Sequence, residues 1–357
     1  MAAPKRGFEK RDGLLVAASA LLVAGYLGLG HFSVEGPAPW LEEKLAASQL
    51  AQRAMAAVSA EKRARGLTID KTIDINETGM IGQRWSGMTT TLGVLEAKRT
   101  STHPDFAAAI VSLLKQCGAK PGDRVAINLS GSFPALGLSA LSATQVLELR
   151  PVLIASLGAS MWGANDPAFT WLEMEQTVRT AGLIRSGAVA VSLGGARDIG
   201  KDMDEAVRDQ LRARIRAADI TFIDEPDFAK NLAIRMERYL ADGLPACFIN
   251  IGGNLASGGA EADTGALRPG LIRSTEEAGT RIGGLMHEFL TRKVPVIHLL
   301  DLKSLAVSAG LPYDPVPLPP PGSSGVFRAT QYHRGYIAVL LALAAGLLAA
   351  YVRLGKR

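Results

Sequence analysis

Two uncharged apolar stretches, one toward each end of the chain, constrain what it can fold into more than any other feature. Gly13–Gly30 reads GLLVAASALLVAGYLGLG and Gly335–Val352 reads GYIAVLLALAAGLLAAYV, each 18 residues without a charge. At ~1.5 Å per helical residue each reaches ~27 Å, the short end of what crosses a bilayer core. A buried core helix has the same composition, but two such stretches flanking one chain point to membrane spans. The first also resembles a secretory signal, with a basic start and Gly28 and Gly30 as small residues before a cut. It is longer than a usual signal core and no A-x-A site follows, so an uncleaved anchor is expected.

Charge supplies an orientation. Lys5, Arg6, Lys10 and Arg11 against Glu9 and Asp12 leave +2 before the first stretch, and Arg353, Lys356 and Arg357 give +3 after the second. Together these equal the +5 of the whole chain, so the residues between the stretches are balanced near zero. Basic flanks stay in the cytoplasm, which places both tails inside and the large domain outside, on the periplasmic or extracytoplasmic side of a cell (inner) membrane. Arg328 and Arg334 lie on the outer side and weaken the local bias. The pI near 9.2 therefore belongs to the tails, and with no basic stripe interleaved with aromatics a nucleic-acid partner is not expected. Cys117 and Cys247 would lie in a disulfide-permitting compartment; one bridge and two buried thiols are both open.

The expected organisation is a cytoplasmic tail (1–12), a span (13–30), a stalk helix (31–66), an α/β domain (67–311), a proline-rich spacer (312–334), a second span (335–352) and a tail (353–357). The stalk rests on PWLEEKLAASQLAQRAMAAVSAEKRAR, with Pro39 in its first turn. The spacer rests on LPYDPVPLPPPGSSG, with six prolines in Pro312–Pro321. Between them, apolar strand-like runs at Val125–Leu129, Val152–Leu157, Ala188–Leu193, Ile220–Ile223, Ala246–Ile251 and Val294–Leu300 alternate with helical runs. Those are Phe106–Cys117, Pro134–Leu149, Trp171–Ala181, Met203–Ala217, Phe228–Ala241 and Thr280–Thr291. Strands that are apolar throughout suit a parallel sheet covered on both faces, so the fold class is a doubly wound, mostly parallel α/β sheet.

Four strands end alike: NLSGS (128–132), SLGAS (156–160), SLGGA (192–196) and NIGGN (250–254). In open α/β sheets ligands bind outside the carboxyl ends of the strands, where the strand order reverses. Glycine admits close backbone approach, and the following helix presents free N–H groups, so such corners suit carboxylate or phosphate. The candidate ligand-binding residues are Ser130, Gly131, Ser132, Gly158, Ser160, Gly194, Gly195, Gly252, Gly253 and Asn254. Lys98 and Arg99 in LEAKRTSTH join them as cations, of which at most one faces the site. Glycine and serine are also common wherever strands turn tightly into helices.

Candidate chemistry is thinner. Ser132 lacks the flanking glycines of a G-x-S-x-G elbow; His103, in STHPDF, is the best-placed base for it, while His298 reads as a core histidine and His287 has no paired ligand. Asp198 and Asp166 stand near strand exits as orienting acids or helix caps. DINETG (74–79) begins like a calcium loop, but Trp85 occupies the twelfth position where a bidentate Glu belongs. Neither a zinc motif nor a phosphate loop is present, so no metal site and no cofactor is expected.

Taken as a set, DINETGMIG (74–82), TTTLGVLEAKRTSTHPDFAA (89–108), VAINLSGSFPAL (125–136), SLGASMWGANDPAFTWLEME (156–175), SLGGARDIG (192–200), VPVIHLLDLK (294–303) and GLPYDPVPLPPPG (310–322) resemble the poly-gamma-glutamate system protein family. The resemblance covers about Thr68 to Gly325. It implies a membrane protein working beside poly-γ-glutamate ligase and export subunits, with an anionic polymer and the lipid bilayer as further partners; it supplies no catalytic residue. Three roles fit: a binder of the polymer, a γ-glutamyl hydrolase or transferase that trims or releases it, and a purely structural subunit. For the second, Thr89 is a further candidate, because some γ-glutamyl transferases free a threonine by self-cleavage.

Overall fold

The computed structural model describes residues 12–259, 266–279 and 283–355. It forms two units, Met1–Pro39 with Arg328–Arg357, and Trp40–Phe327. The basic residues Lys5, Arg6, Lys10, Arg11, Lys356 and Arg357 lie outside the described residues, as does the start of the helix expected at Thr280.

In the first unit the apolar stretches form helices, Asp12–Gly28 and Arg334–Leu354, each long and apolar enough to cross a membrane. They pack side by side. The Tyr336 hydroxyl donates to the Gly25 carbonyl at 3.0 Å, and a Cβ at Gly25 would stand 2.4 Å from Leu340, so the missing side chain permits the approach. Val23, Leu27, Val339, Leu341 and Leu343 are left exposed. Beyond the helices, Ser33–Pro37 and Arg328–Tyr332 pair as an antiparallel ribbon in register from Ser33↔Tyr332 to Pro37↔Arg328. Neither strand was expected, because SVEGP and RATQY carry no strong strand pattern and each is held by the other.

The second unit is a sheet with helices on both faces. Its strands are β1 (Arg124–Ser130), β2 (Arg150–Ser156), β3 (Ala188–Ser192), β4 (Thr221–Ile223), β5 (Cys247–Ile251), β6 (Gly270–Ile272) and β7 (Val296–Leu299). The order across the sheet is β4-β3-β2-β1-β5-β7-β6. All neighbours are parallel except the edge pair β6 and β7. This is the doubly wound, mostly parallel α/β architecture expected from the apolar strands; the short antiparallel edge β6 was not foreseen.

The helices that position the rim are α1 (Leu41–Ala64), α2 (Leu95–Ser101), α3 (Phe106–Gln116), α4 (Pro134–Val146), α5 (Trp171–Thr180), α6 (Glu205–Ala217), α7 (Phe228–Leu240), α8 (Gly284–Thr291) and α9 (Leu302–Ser308). A larger apolar cluster joins α1, α3, α4, α5, α6 and α9 to Ile127, Leu129, Leu153, Ala155, Ile249, Ile251, Ile297 and Leu299. The other cluster joins α7 and α8 to the alternate positions Ala126, Ile154, Ala190, Phe248 and Val296. In it, Phe248 and Phe289 stack at 4.5 Å and Tyr239 meets both edge-on.

The stalk helix α1 packs on this unit, as its apolar face led one to expect; it starts at Leu41, after Trp40 at φ 60, and Ala47, Ala51, Ala54 and Val58 are wholly buried. Small residues at helical spacing let it lie close against α4. The proline-rich stretch expected as a spacer is strapped onto the same unit. The Asn76 carboxamide donates to Pro315 O and accepts from the Leu318 amide, and Asp105 accepts from the amides of Gly322 and Ser324.

Candidate functional site at the carboxyl rim of the sheet

From β1 the chain steps outward through β2, β3 and β4; it then returns to the other side of β1 with β5, followed by β7. The strand order therefore reverses between β1 and β5, the place where open α/β sheets hold ligands. The exits at that point are NLSGS and NIGGN. The exits of β3, β2, β1 and β5 adjoin along one rim, since those strands are consecutive neighbours.

The corners are zipped to one another. The Gly131 amide donates to Ser156 O at 2.8 Å, Gly158 to Leu193 O at 2.7 Å and Gly252 to Leu299 O at 3.0 Å. A Cβ at Gly131 would stand 2.6 Å from Leu157 O, and one at Gly252 would stand 2.9 Å from Ser130 Cβ. These glycines serve the contact between neighbouring exits, and their amides are spent there. Contact with a ligand falls instead to side chains.

Lys98, on α2, is buried against the β1 exit. Its ammonium group donates to Ser132 O, lies 2.6 Å from Ser160 Oγ and sits 3.8 Å over the Phe133 ring. Burial, with no carboxylate to oppose it, lowers its pKa to about 7. Nζ donates to Ser160 Oγ, and burial favours its neutral amine over the ammonium form. The Ser160 amide donates to Ser132 Oγ at 3.0 Å, and Ser130 Oγ donates to the same oxygen at 3.0 Å. An amine paired with a hydroxyl is the base-and-nucleophile arrangement of acyl transfer. Lys98, Ser130, Gly131, Ser132, Gly158 and Ser160 are thus brought together.

On the α7 side of the sheet lies a second polar cluster. Arg235 is fully buried and binds Asp198 Oδ2 at 2.5 Å, Ser192 Oγ at 2.8 Å, Asn128 Oδ1 at 2.9 Å and Asn231 Oδ1 at 2.9 Å. Asp198 also accepts from Ser192 Oγ and Asn231 Nδ2. Gly194, Gly195, Arg197 and Asp198 all hold positive φ, between 57 and 74, so this turn is strained and the Arg235 bridge is what holds it. Asp198 does orient a basic partner.

Other candidates are placed elsewhere. Arg99 grips Asp314 of the proline-rich strap bidentately, at 2.6 and 2.5 Å. His103 takes the Asp105 amide proton at Nδ1, so its own proton sits on Nε2, facing Ser324 Oγ at 3.3 Å, which in turn donates to Asp105. Burial keeps the ring neutral against the pull of Asp105, and a protonated Nε2 cannot accept a serine proton. Thr89 is buried, with its hydroxyl held by Asn165 and the Ser86 amide. Gly195 adjoins Asp202 and Thr90, and Gly253 is exposed between Gly252 and Asn254. Asp166 closes a turn on Ala168. Asp74 of DINETG accepts from Thr78 and Gly79. No group of three His, Cys, Asp or Glu side chains suited to a metal occurs among the described residues. Cys117 and Cys247 are free thiols; contact with Cys117 and burial push the Cys247 thiol well up.

A cavity of about 480 Å³ opens beside Gly82–Gln83, lined by Lys62, Asp70, Asp74, Arg84, Trp85 and Asp166. Three carboxylates against two cations make it a poor seat for a polyanion. Asn128, Asn250 and Arg235 were not foreseen. The strands AINLS and FINIG each carry one Asn amid aliphatics, and Asn231, Arg235 and Tyr239 recur at spacing four, a polar stripe on the buried face of α7. No protein-family model, curated protein or solved structure matches the chain.

Proposed function

We propose that the chain is a membrane-tethered, extracytoplasmic component of a poly-γ-glutamate synthesis or export system that engages the polymer at the carboxyl rim of its sheet. The observation that carries this reading is the reversal of strand order between β1 and β5, at the two exits that carry carboxamide groups. The sequence resemblance across the domain supplies the polymer. Helices that pack side by side and are joined by an antiparallel ribbon put Asp12 and Leu354 on one side, in keeping with basic tails in the cytoplasm. Ligase and export subunits of the same membrane are the expected partners. Because Arg99 is neutralised by Asp314 and Arg235 by Asp198, neither arginine offers the polymer a free charge, and hydrogen bonds carry most of the grip.

One observation favours a second reading. The Lys98–Ser160 contact would serve a γ-glutamyl hydrolase or transferase, with Ser160 attacking and Lys98 taking its proton. Incubating the full-length protein in lipid nanodiscs with poly-γ-glutamate separates the two. Binding with unchanged chain length supports the binder; shortening that is abolished by Ser160→Ala supports the enzyme; neither binding nor shortening removes both.

A further inference from the structure

The switch point holds two buried side-chain atoms of opposite kind with no partner among the described residues. Asn128 on β1 and Asn250 on β5 are register partners, so their side chains leave the same face of the sheet about 4.8 Å apart. His298 on β7 continues the row. Asn250 Nδ2 donates to Gly252 O at 2.8 Å and lies 3.0 Å from His298 Nδ1. A main-chain carbonyl only accepts, which fixes that atom as the nitrogen and the other as Oδ1. Asn250 is fully buried, and its Oδ1 has no partner among the described residues.

Asn254 is fixed the same way. Its Oδ1 accepts from the Ser257 amide at 3.0 Å and from Asn128 Nδ2 at 2.8 Å. A main-chain amide only donates, so the remaining atom is Nδ2, which is buried and has no partner among the described residues. Asn128 is saturated: Arg235 and Ser257 take what Asn254 does not. It ties the Asn254 carboxamide to β1 on the side of the sheet from which Asn250 of the neighbouring strand also projects.

Each buried orphan costs ~1–3 kcal/mol, and native interiors retain few of them. A carboxylate would satisfy Asn254 Nδ2 but be repelled by Asn250 Oδ1; an ammonium group would do the reverse. A planar secondary amide satisfies both, its C=O accepting from Asn254 and its N–H donating to Asn250. The nearby charge is already cancelled, since Arg235 is paired with Asp198.

We propose that the carboxyl ends of β1 and β5 bind a secondary amide of a ligand between Asn250 Oδ1 and Asn254 Nδ2. For the identity of that ligand the proposal rests on the polymer reading above: the group held is the γ-amide link between glutamate units rather than their carboxylates. A single trapped water would also bridge the two atoms, and binding measurements separate water from ligand.

Asn254→Asp is the clean variant, because the aspartate keeps the Oδ1 contacts and the cap on Ser257 while replacing the donor with an acceptor. Full-length protein in nanodiscs is titrated with a γ-linked glutamate tetramer, with polyacrylate of equal carboxylate number, and with the uncharged N-acetylglycine methylamide. Tetramer binding that is at least ten-fold tighter than polyacrylate and falls at least ten-fold in Asn254→Asp is the expected result. Equal tetramer affinity in wild type and variant overturns the amide site and leaves the polymer reading standing. Thermal stabilisation of wild type but not Asn254→Asp by the small amide, without tetramer binding, supports the site and removes the polymer. If no probe binds, only water bridges the two atoms and both fall. Unchanged melting of the unliganded variant shows that a loss is not unfolding.

Discussion

Alternate residues of the same strands build two unlike faces on one sheet. Toward α3 and α4, β1 presents Val125, Ile127 and Leu129, apolar to the last residue. Toward α7 it presents Ala126, then Asn128 and Ser130; β3 presents Ala190 and then Ser192, and β5 presents Phe248 and then Asn250. The second face is apolar at the amino ends of its strands and polar at the carboxyl ends. A polar side chain in such a place must be bonded or it costs the fold, so that third of the sheet is shaped by hydrogen bonding where the rest is shaped by packing. One residue's step along a strand separates the positions that stabilise the domain from those that can meet a ligand.

The contrast breaks most readily at Arg235. Arg235→Met leaves Asp198 buried without its cation, and a loss of about 3–5 kcal/mol in urea unfolding is expected, with more than half restored when Asp198→Asn is added. A loss below about 1 kcal/mol would show that the polar face is not held this way. Leu129→Ala, on the apolar face of the same strand, should cost about 3 kcal/mol by leaving a void, without altering affinity for the polymer measured per folded molecule. A change in affinity would mean that the faces do not divide their duties.

A smaller effect tests Lys98. Its folded pKa of about 7 lies below the ordinary 10.5, so between those values the unfolded chain binds more protons. Stability should therefore climb as pH rises above 7, by at most about 1.4 kcal/mol per pH unit. The same melting series on Lys98→Met should be flatter from pH 7 to 9, and parallel curves would place the lysine in water. Smallest is Arg99→Ala, which frees Asp314 and loosens the proline-rich strap at a cost of about 1 kcal/mol. Proteolysis within 311–325 should quicken; if it does not, the strap is held without that pair.

What the sequence showed follows from range. Runs as apolar as VAINL and ACFINI, each broken by a single Asn, need only their neighbours to be read as buried parallel strands. The glycine corners announced tight turns, but their partners were hidden: Gly131 meets Leu157, and Gly252 meets Ser130 across a strand pairing. Arg99 looked like a free cation because Asp314 is 215 residues away. The Lys98–Ser160 contact spans 62 residues and arises only where α2 crosses the β1 exit. Asn231, Arg235 and Tyr239 were readable from helical spacing alone. The edge strand β6, three residues long, owes its conformation to β7.

The ribbon of Ser33–Pro37 with Arg328–Tyr332 ties the fate of each terminal helix to the other. Deleting either leg strips the surviving strand of five register partners and leaves a raw hydrogen-bonding edge, the sort that recruits a stray copy. A chain shorn of either strand would thus be prone to pair with its own kind.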